Sequence, residues 1–118
     1  MMFNILIVED DCELRILFQR VLMQNGYYVK GVENGKLALD IIENGYVDST
    51  ISDIVMSVMD GYELVHCLRE SRIQIPVLMI TAKDAFDDIH KGFISGTDDY
   101  MVKPINVNEM LLCVGALL

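Results

Sequence analysis

Short β-rich runs alternate along the whole chain with longer stretches of helical period, a βαβαβαβαβα rhythm that leaves few ways to fold. The run FNILIV at 3–8 is almost continuously apolar, as a parallel strand must be when helices cover both its faces. Further strands are predicted over 27–32, 47–53, 76–80 and 99–102. Between the first two, Leu14, Leu17, Phe18, Val21 and Leu22 recur at three and four residues, predicting a helix over 12–25 that stops at Gly26. Leu37, Ala38, Ile41 and Ile42 mark a second helix ending at Asn44-Gly45. Asp60 and Glu63 have the spacing of a capping box, which opens a third helix over 61–70. A fourth helix is predicted over 85–95, and Asn106 with Glu109 repeats the capping logic for a last one. Right-handed crossovers then give an α/β fold, a doubly wound five-stranded parallel sheet with helices on both faces; periodicity alone leaves its strand order open.

Length and charge narrow the function. A chain of 118 residues, 53% of them apolar, is one domain's worth and can bury a core without metal or disulfide staples. Cys12, Cys67 and Cys113 are odd in number and widely spaced, so reduced, mostly packed thiols are expected. The net charge of −9 repels both a phosphate backbone and an anionic membrane surface, which argues against direct nucleic-acid or membrane binding. The longest apolar stretch, 110–118, falls short of a bilayer span, and a cytoplasmic protein is expected. That stretch carries no charge or cap signal, so a helix ending there leaves apolar side chains exposed; a further domain is expected to follow.

In sheets of this kind ligands bind beyond the carboxyl ends of the strands. The first strand ends in Glu9-Asp10-Asp11, the third in Asp53, the fourth in Thr81-Ala82 and the fifth in Lys103-Pro104. Carboxylates gathered at one rim raise each other's pKa unless a hard cation joins them, and magnesium suits one or two carboxylates and several waters. A carboxylate can attack phosphorus to give an acyl phosphate while cation, lysine and hydroxyl neutralise the phosphoryl oxygens. Phosphoryl transfer to an aspartate is the chemistry that fits. Asp11 and Asp60 have the position of helix caps, and His66 and His90 sit in mid-helix, far from any strand end, so the chain is expected to receive phosphate rather than donate it from histidine.

Several spaced motifs match together: ILIVEDD at 5–11, Asp53 with Met59-Asp-Gly61, Ile80-Thr-Ala82, and Gly96-Thr-Asp-Asp-Tyr100 followed by Val102-Lys-Pro104. On these the whole chain resembles a response-regulator receiver domain of bacterial two-component signalling, with the flavodoxin-like (CheY-like) strand order 2-1-3-4-5. The resemblance implies Asp53 as phosphoacceptor, and Glu9, Asp10, Asp53 and the Val55 carbonyl as the magnesium site. It also implies Thr81, Ala82 and Lys103 around the phosphoryl group, Thr81 and Tyr100 as the switch pair, and a cis Lys103–Pro104 bond. It implies a signalling domain rather than a turnover enzyme, phosphorylated by a sensor histidine kinase. The stripe Ile16, Gln19, Arg20 and Met23 on the first helix would dock that kinase.

The C-terminal residues resemble receivers that precede a winged-helix DNA-binding domain, the OmpR/PhoB-like transcription regulators. Such receivers form homodimers on phosphorylation through the fourth helix, fifth strand and last helix, with Lys91, Asp98, Asp99 and Glu109 as ion-pair candidates here. DNA would be reached only through the further domain. Ser57 stands where proline is frequent in the family, and Cys113 where arginine is usual, which removes one expected ion pair. An apolar Val55, and Lys83, would flank the path of a hydrolytic water. Two rivals remain: a haloacid-dehalogenase-type phosphohydrolase, whose Asp-x-Asp motif after the first strand is absent, and a phosphorylation-independent interaction module.

Overall fold

The computed structural model describes residues 2–81 and 98–118. Its strands are β1 (Asn4–Val8), β2 (Tyr28–Val32), β3 (Ser49–Asp53), β4 (Val77–Thr81) and β5 (Asp99–Val102). The helices are α1 (Cys12–Gln24), α2 (Gly35–Asn44), α3 (Gly61–Glu70) and a last helix, Val107–Leu117. All strand pairs are parallel and their order is β2-β1-β3-β4-β5, the doubly wound arrangement that the resemblance implied. The predicted helix over 85–95, with His90 and Lys91, lies outside the described residues, as do Ala82 and Lys83.

Alternation along the strands builds two separate apolar layers. Leu6, Val8, Val77 and Met79 pack with Ala38 and Ile42 of α2 and Leu64, Val65 and Leu68 of α3. Ile5, Ile7, Ile51, Leu78 and Ile80 face the other way, onto Phe18 and Leu22 of α1 and Met110 and Val114 of the last helix. Burial on both sides is why β1 and β4 read as continuous apolar runs.

Each described helix starts on a side-chain cap. Asp11 accepts from the N–H groups of Glu13 and Leu14, Asn34 from Leu37, Asp60 from Glu63 at 2.8 Å and Asn106 from Glu109 at 3.1 Å. Of the predicted capping box, this is the Asp60 half. The Lys103–Pro104 bond is cis.

Some expectations need correction. Leu17 and Leu37, assigned to inward stripes, are 41% and 42% exposed. Each lies one residue, about 100° of helix, before the residue that does point inward, Phe18 or Ala38, and so sits on the shoulder of the stripe. Strands β1, β2, β3 and β4 begin one or two residues later than predicted. Before β3, Asp48 is occupied with Asn4: its carboxylate accepts the Asn4 N–H at 2.7 Å and its own N–H reaches the Asn4 carbonyl at 2.8 Å. Cys67 and Cys113 are half-buried, but Cys12 is exposed at the start of α1. No helix among the described residues is long and apolar enough to cross a membrane.

A buried hydroxyl on β3 is not matched to its surroundings. Thr50, fully buried on β3, pairs in register with Leu6 and Val77, and its hydroxyl has no hydrogen-bond partner. An unsatisfied buried hydroxyl costs on the order of 1 kcal/mol or more, so Thr50→Val is expected to stabilise the fold by about 1 kcal/mol. A urea midpoint that rises with an unchanged slope would establish it; a lowered midpoint would show that the hydroxyl is satisfied in solution.

Candidate functional site

Parallel register brings the chemistry together. Val8 lies opposite Ser52, Asp53 opposite Ile80, and Thr81 opposite Val102, so the residues that finish or follow β1, β3, β4 and β5 emerge at one rim. Lys103 N–H donates to the Thr81 carbonyl at 2.8 Å, tying the last two of these ends to each other. Both faces of the sheet are filled by helices, so Glu9, Asp53 and Thr81 are themselves buried, at 1%, 7% and 2% exposure, while Asp10 is exposed.

Asp53 is held at both carboxylate oxygens. Its Oδ1 accepts the Ile54 N–H at 2.8 Å and its Oδ2 accepts from Lys103 Nζ at 3.0 Å. The same ammonium lies 3.7 Å from Glu9 Oε1, too far for a hydrogen bond, and that oxygen is buried without any other partner. Carboxylate oxygens of Glu9, Asp10 and Asp53 lie within 4.8 Å of one another. Burial, and after it the neighbouring Asp53, pushes the Glu9 carboxyl up to about 7. Burial works against the Lys103 ammonium, but its bond to Asp53 and the attraction of Asp53, Glu9 and Asp10 outweigh this and hold its pKa above the ordinary value.

This donor set fits a hard divalent cation. Such ions take carboxylate oxygens, and Glu9 Oε1 is a buried acceptor with nothing to accept from. The Val55 side chain is exposed on the loop that leaves Asp53. Tyr100 is half-buried in the α2–α3 layer, in register with Met79. Ala82 lies outside the described residues.

Gly61 has a role at this site that spacing did not explain. A Cβ on it would stand 2.5 Å from the Asp53 carbonyl oxygen and 3.1 Å from Ile54 Cα, backbone atoms that cannot swing away. Its N–H also donates to the Ile54 carbonyl at 2.8 Å, closing the loop between Asp53 and α3 on itself. The sequence marked Met59-Asp-Gly61 as a motif, but the reason for glycine is a contact between residues eight apart.

The outlying candidates fare differently. On α1, Ile16 and Met23 are 47% and 59% exposed and, with Gln19, Arg20 and Gln24, line an open groove of ≈ 530 Å³. Asp98 is already engaged within the chain: its Oδ2 accepts from Arg69 at 3.1 Å and from the Val77 N–H at 2.8 Å. The same guanidinium donates to the Ile73 and Ile75 carbonyls, so Asp98 serves to pin β4 and β5 to the end of α3. Asp99 is half-buried beside Cys113, whose thiol is pushed up by burial and then by Asp99 and Glu109; Glu109 is exposed. Lys91 lies outside the described residues.

A proton and a cation compete for Glu9. Without a cation, the folded state holds a proton on Glu9 between about pH 4.5 and 7 that the unfolded chain has lost, so this group's contribution to stability falls as pH rises through that window. Magnesium is therefore expected to raise the melting temperature more at pH 8 than at pH 5.5, with the difference reduced in Glu9→Gln. Thermal scans with magnesium or chelator check this, and an equal rise at both pH values would show that Glu9 carries no proton to displace.

Comparison with known proteins agrees with this geometry. The sequence profile of the response regulator receiver domain matches residues 5–114. The chain is 43% identical, over 99% of its length, to the heme response regulator HssR of Staphylococcus epidermidis, of which it covers 52%. It is 36% identical, over 97% of its length, to the transcriptional regulatory protein TcrA of Mycobacterium tuberculosis, of which it covers 45%. The chain thus spans about half the length of the curated relatives it matches. Among solved structures it resembles the chemotaxis response regulator CheY4 of Vibrio cholerae, with a TM-score of 0.93, 29% identity and all of both chains covered. It also resembles the response regulator TrrA of Thermotoga maritima in complex with Mg(2+)-BeF, with a TM-score of 0.89, 30% identity, 99% of this chain and 100% of that one covered. With a buried strand-end aspartate, its lysine and an acidic pair at the expected rim, and with relatives of this kind along nearly its whole length, the chain belongs to the response regulator receiver domain family.

Proposed function

We propose that this domain accepts a phosphoryl group on Asp53 from the phosphohistidine of a sensor histidine kinase, and that the aspartyl phosphate controls an output. The observation that carries this is the Asp53 carboxylate, 7% exposed, fixed between the Ile54 N–H and the Lys103 ammonium and set against Glu9 and Asp10. In the transfer an Asp53 oxygen attacks phosphorus, the P–N bond to the donor imidazole breaks, and the imidazole takes a proton from solvent. Lys103 passes from pairing the carboxylate to pairing a phosphoryl oxygen, and Thr81, at the end of the adjoining strand, donates its hydroxyl to another. Magnesium, held by Glu9, Asp10, Asp53 and the Val55 carbonyl, would supply charge neutralisation for the incoming phosphoryl oxygens. The complex of TrrA with Mg(2+)-BeF supports a magnesium site of this kind.

The Asp53 phosphate then draws on Thr81, and Tyr100, packed at the edge of the same strand pair, follows it. This biases an equilibrium at the face that includes β5 and the last helix. The names of the curated relatives, and their roughly double length, support a transcriptional output through a following winged-helix domain, with homodimers forming on phosphorylation. The domain is a cytoplasmic signalling acceptor, without turnover of an external substrate. The open groove on α1 would receive helices of the kinase: exposed apolar Ile16 and Met23 flank Gln19 and Arg20, a pattern suited to an amphipathic partner.

Intact-mass measurement after incubation with magnesium and acetyl phosphate is expected to show one phosphoryl adduct, absent with chelator and absent in Asp53→Asn. No adduct on a folded, magnesium-binding protein would favour a phosphorylation-independent interaction module, and steady release of phosphate from small esters would favour a phosphohydrolase. For the groove, Ile16→Asp is expected to slow transfer from the cognate kinase at least tenfold while uptake from acetyl phosphate stays at the wild-type rate, on the scale of an interface anchor. Equal slowing from both donors would place the effect at the site and not at the groove.

A further inference from the structure

Arg15, on α1, bonds to the backbone of the site. From the first turn of the helix its half-buried guanidinium Nη1 donates to the Glu9 carbonyl oxygen at 2.7 Å. That carbonyl belongs to the peptide joining Glu9 to Asp10, two of the three carboxylate residues gathered at the rim. The stem of Arg15 lies against Gly31 of β2. A Cβ at Gly31 would lie 2.9 Å from Arg15 Cγ, and 2.6 Å and 2.7 Å from Oε1 and Cδ of Gln19. With no side chain at Gly31, the stems of Arg15 and Gln19 occupy a notch over the strand.

We infer that Arg15 is a positioning residue for the cation site: through the notch at Gly31 it fixes the Glu9–Asp10 peptide, and with it the directions in which the two carboxylates leave the backbone. This rests on the proposed magnesium-dependent function. A hydrogen bond between a charged donor and a carbonyl is among the stronger kinds, and removing such an outer support of a metal site typically lowers affinity tenfold or more. The charge of Arg15 acts in the opposite sense, because a cation close to the rim repels magnesium. Positioning and charge therefore make opposite forecasts for the same substitution.

Magnesium is titrated into the ¹⁵N-labelled protein at pH 8 and its dissociation constant read from amide shifts at the rim, with urea unfolding run in parallel. Arg15→Met, which keeps the stem but removes donor and charge, is expected to weaken magnesium roughly tenfold. Arg15→Lys, with a shorter donor, is expected to recover part of the loss. Gly31→Ala leaves the charge in place but displaces the stem, and is expected to weaken magnesium in the same direction by a smaller factor. Tighter or unchanged binding in Arg15→Met, with the fold intact, would overturn the inference and leave Arg15 as a nearby charge. Unchanged binding in Gly31→Ala would overturn the part played by the notch. Failure of the wild-type protein itself to bind magnesium would sink the functional reading and this inference together, an outcome distinct from loss in the variants alone.

Discussion

A parallel sheet covered on both faces has nowhere to put charge except at the ends of its strands. Every interior position of β1 and β4 goes into one of two apolar layers, and the helices that fill those layers close off the sides. Polar side chains on these strands must therefore sit at the rim, where loops leave room for water or a ligand. The acidic pair after β1, Asp53 on β3, Thr81 on β4 and Lys103 after β5 meet because parallel register carries all four strands the same way.

The rim so formed is electrostatically under-compensated. Among the described residues, three carboxylate residues converge on a single ammonium, which satisfies Asp53 at 3.0 Å and leaves Glu9 at 3.7 Å. Burial makes the deficit expensive, and without a cation Glu9 meets it by holding a proton near neutral pH. Such a deficit suits a divalent cation, the charge on which the proposed phosphoryl transfer would depend. Precision comes from the backbone around it: the Ile54 N–H on Asp53, the absence of a side chain at Gly61, and the Arg15 bond to the Glu9 carbonyl.

Much of this was legible in the chain. Apolar runs ending in acid, hydroxyl or lysine announced both the sheet and its reactive end, because burial on two faces and a polar rim leave a strong mark on composition. The caps at Asp11, Asp60 and Asn106 were equally plain, since capping is local and its spacing is fixed. Leu17 and Leu37 were harder: periodicity says that a residue lies near an apolar stripe, but the neighbouring helix decides whether the shoulder of that stripe is covered. Asp98 offered an ion-pairing charge in sequence, and the fold spends it on Arg69 and the Val77 N–H.

By itself the sequence determined the alternation of elements, the sign and number of charges at each strand end, and hence the class of chemistry, because these depend on residues close together along the chain. Only the tertiary structure decided which carboxylate the lysine satisfies and which it approaches no closer than 3.7 Å, and why residues 31 and 61 carry no side chain. These depend on ångström-scale approaches between segments far apart in the chain, such as Lys103 on Asp53, fifty residues away. Packing and register set such distances, and no local pattern records them.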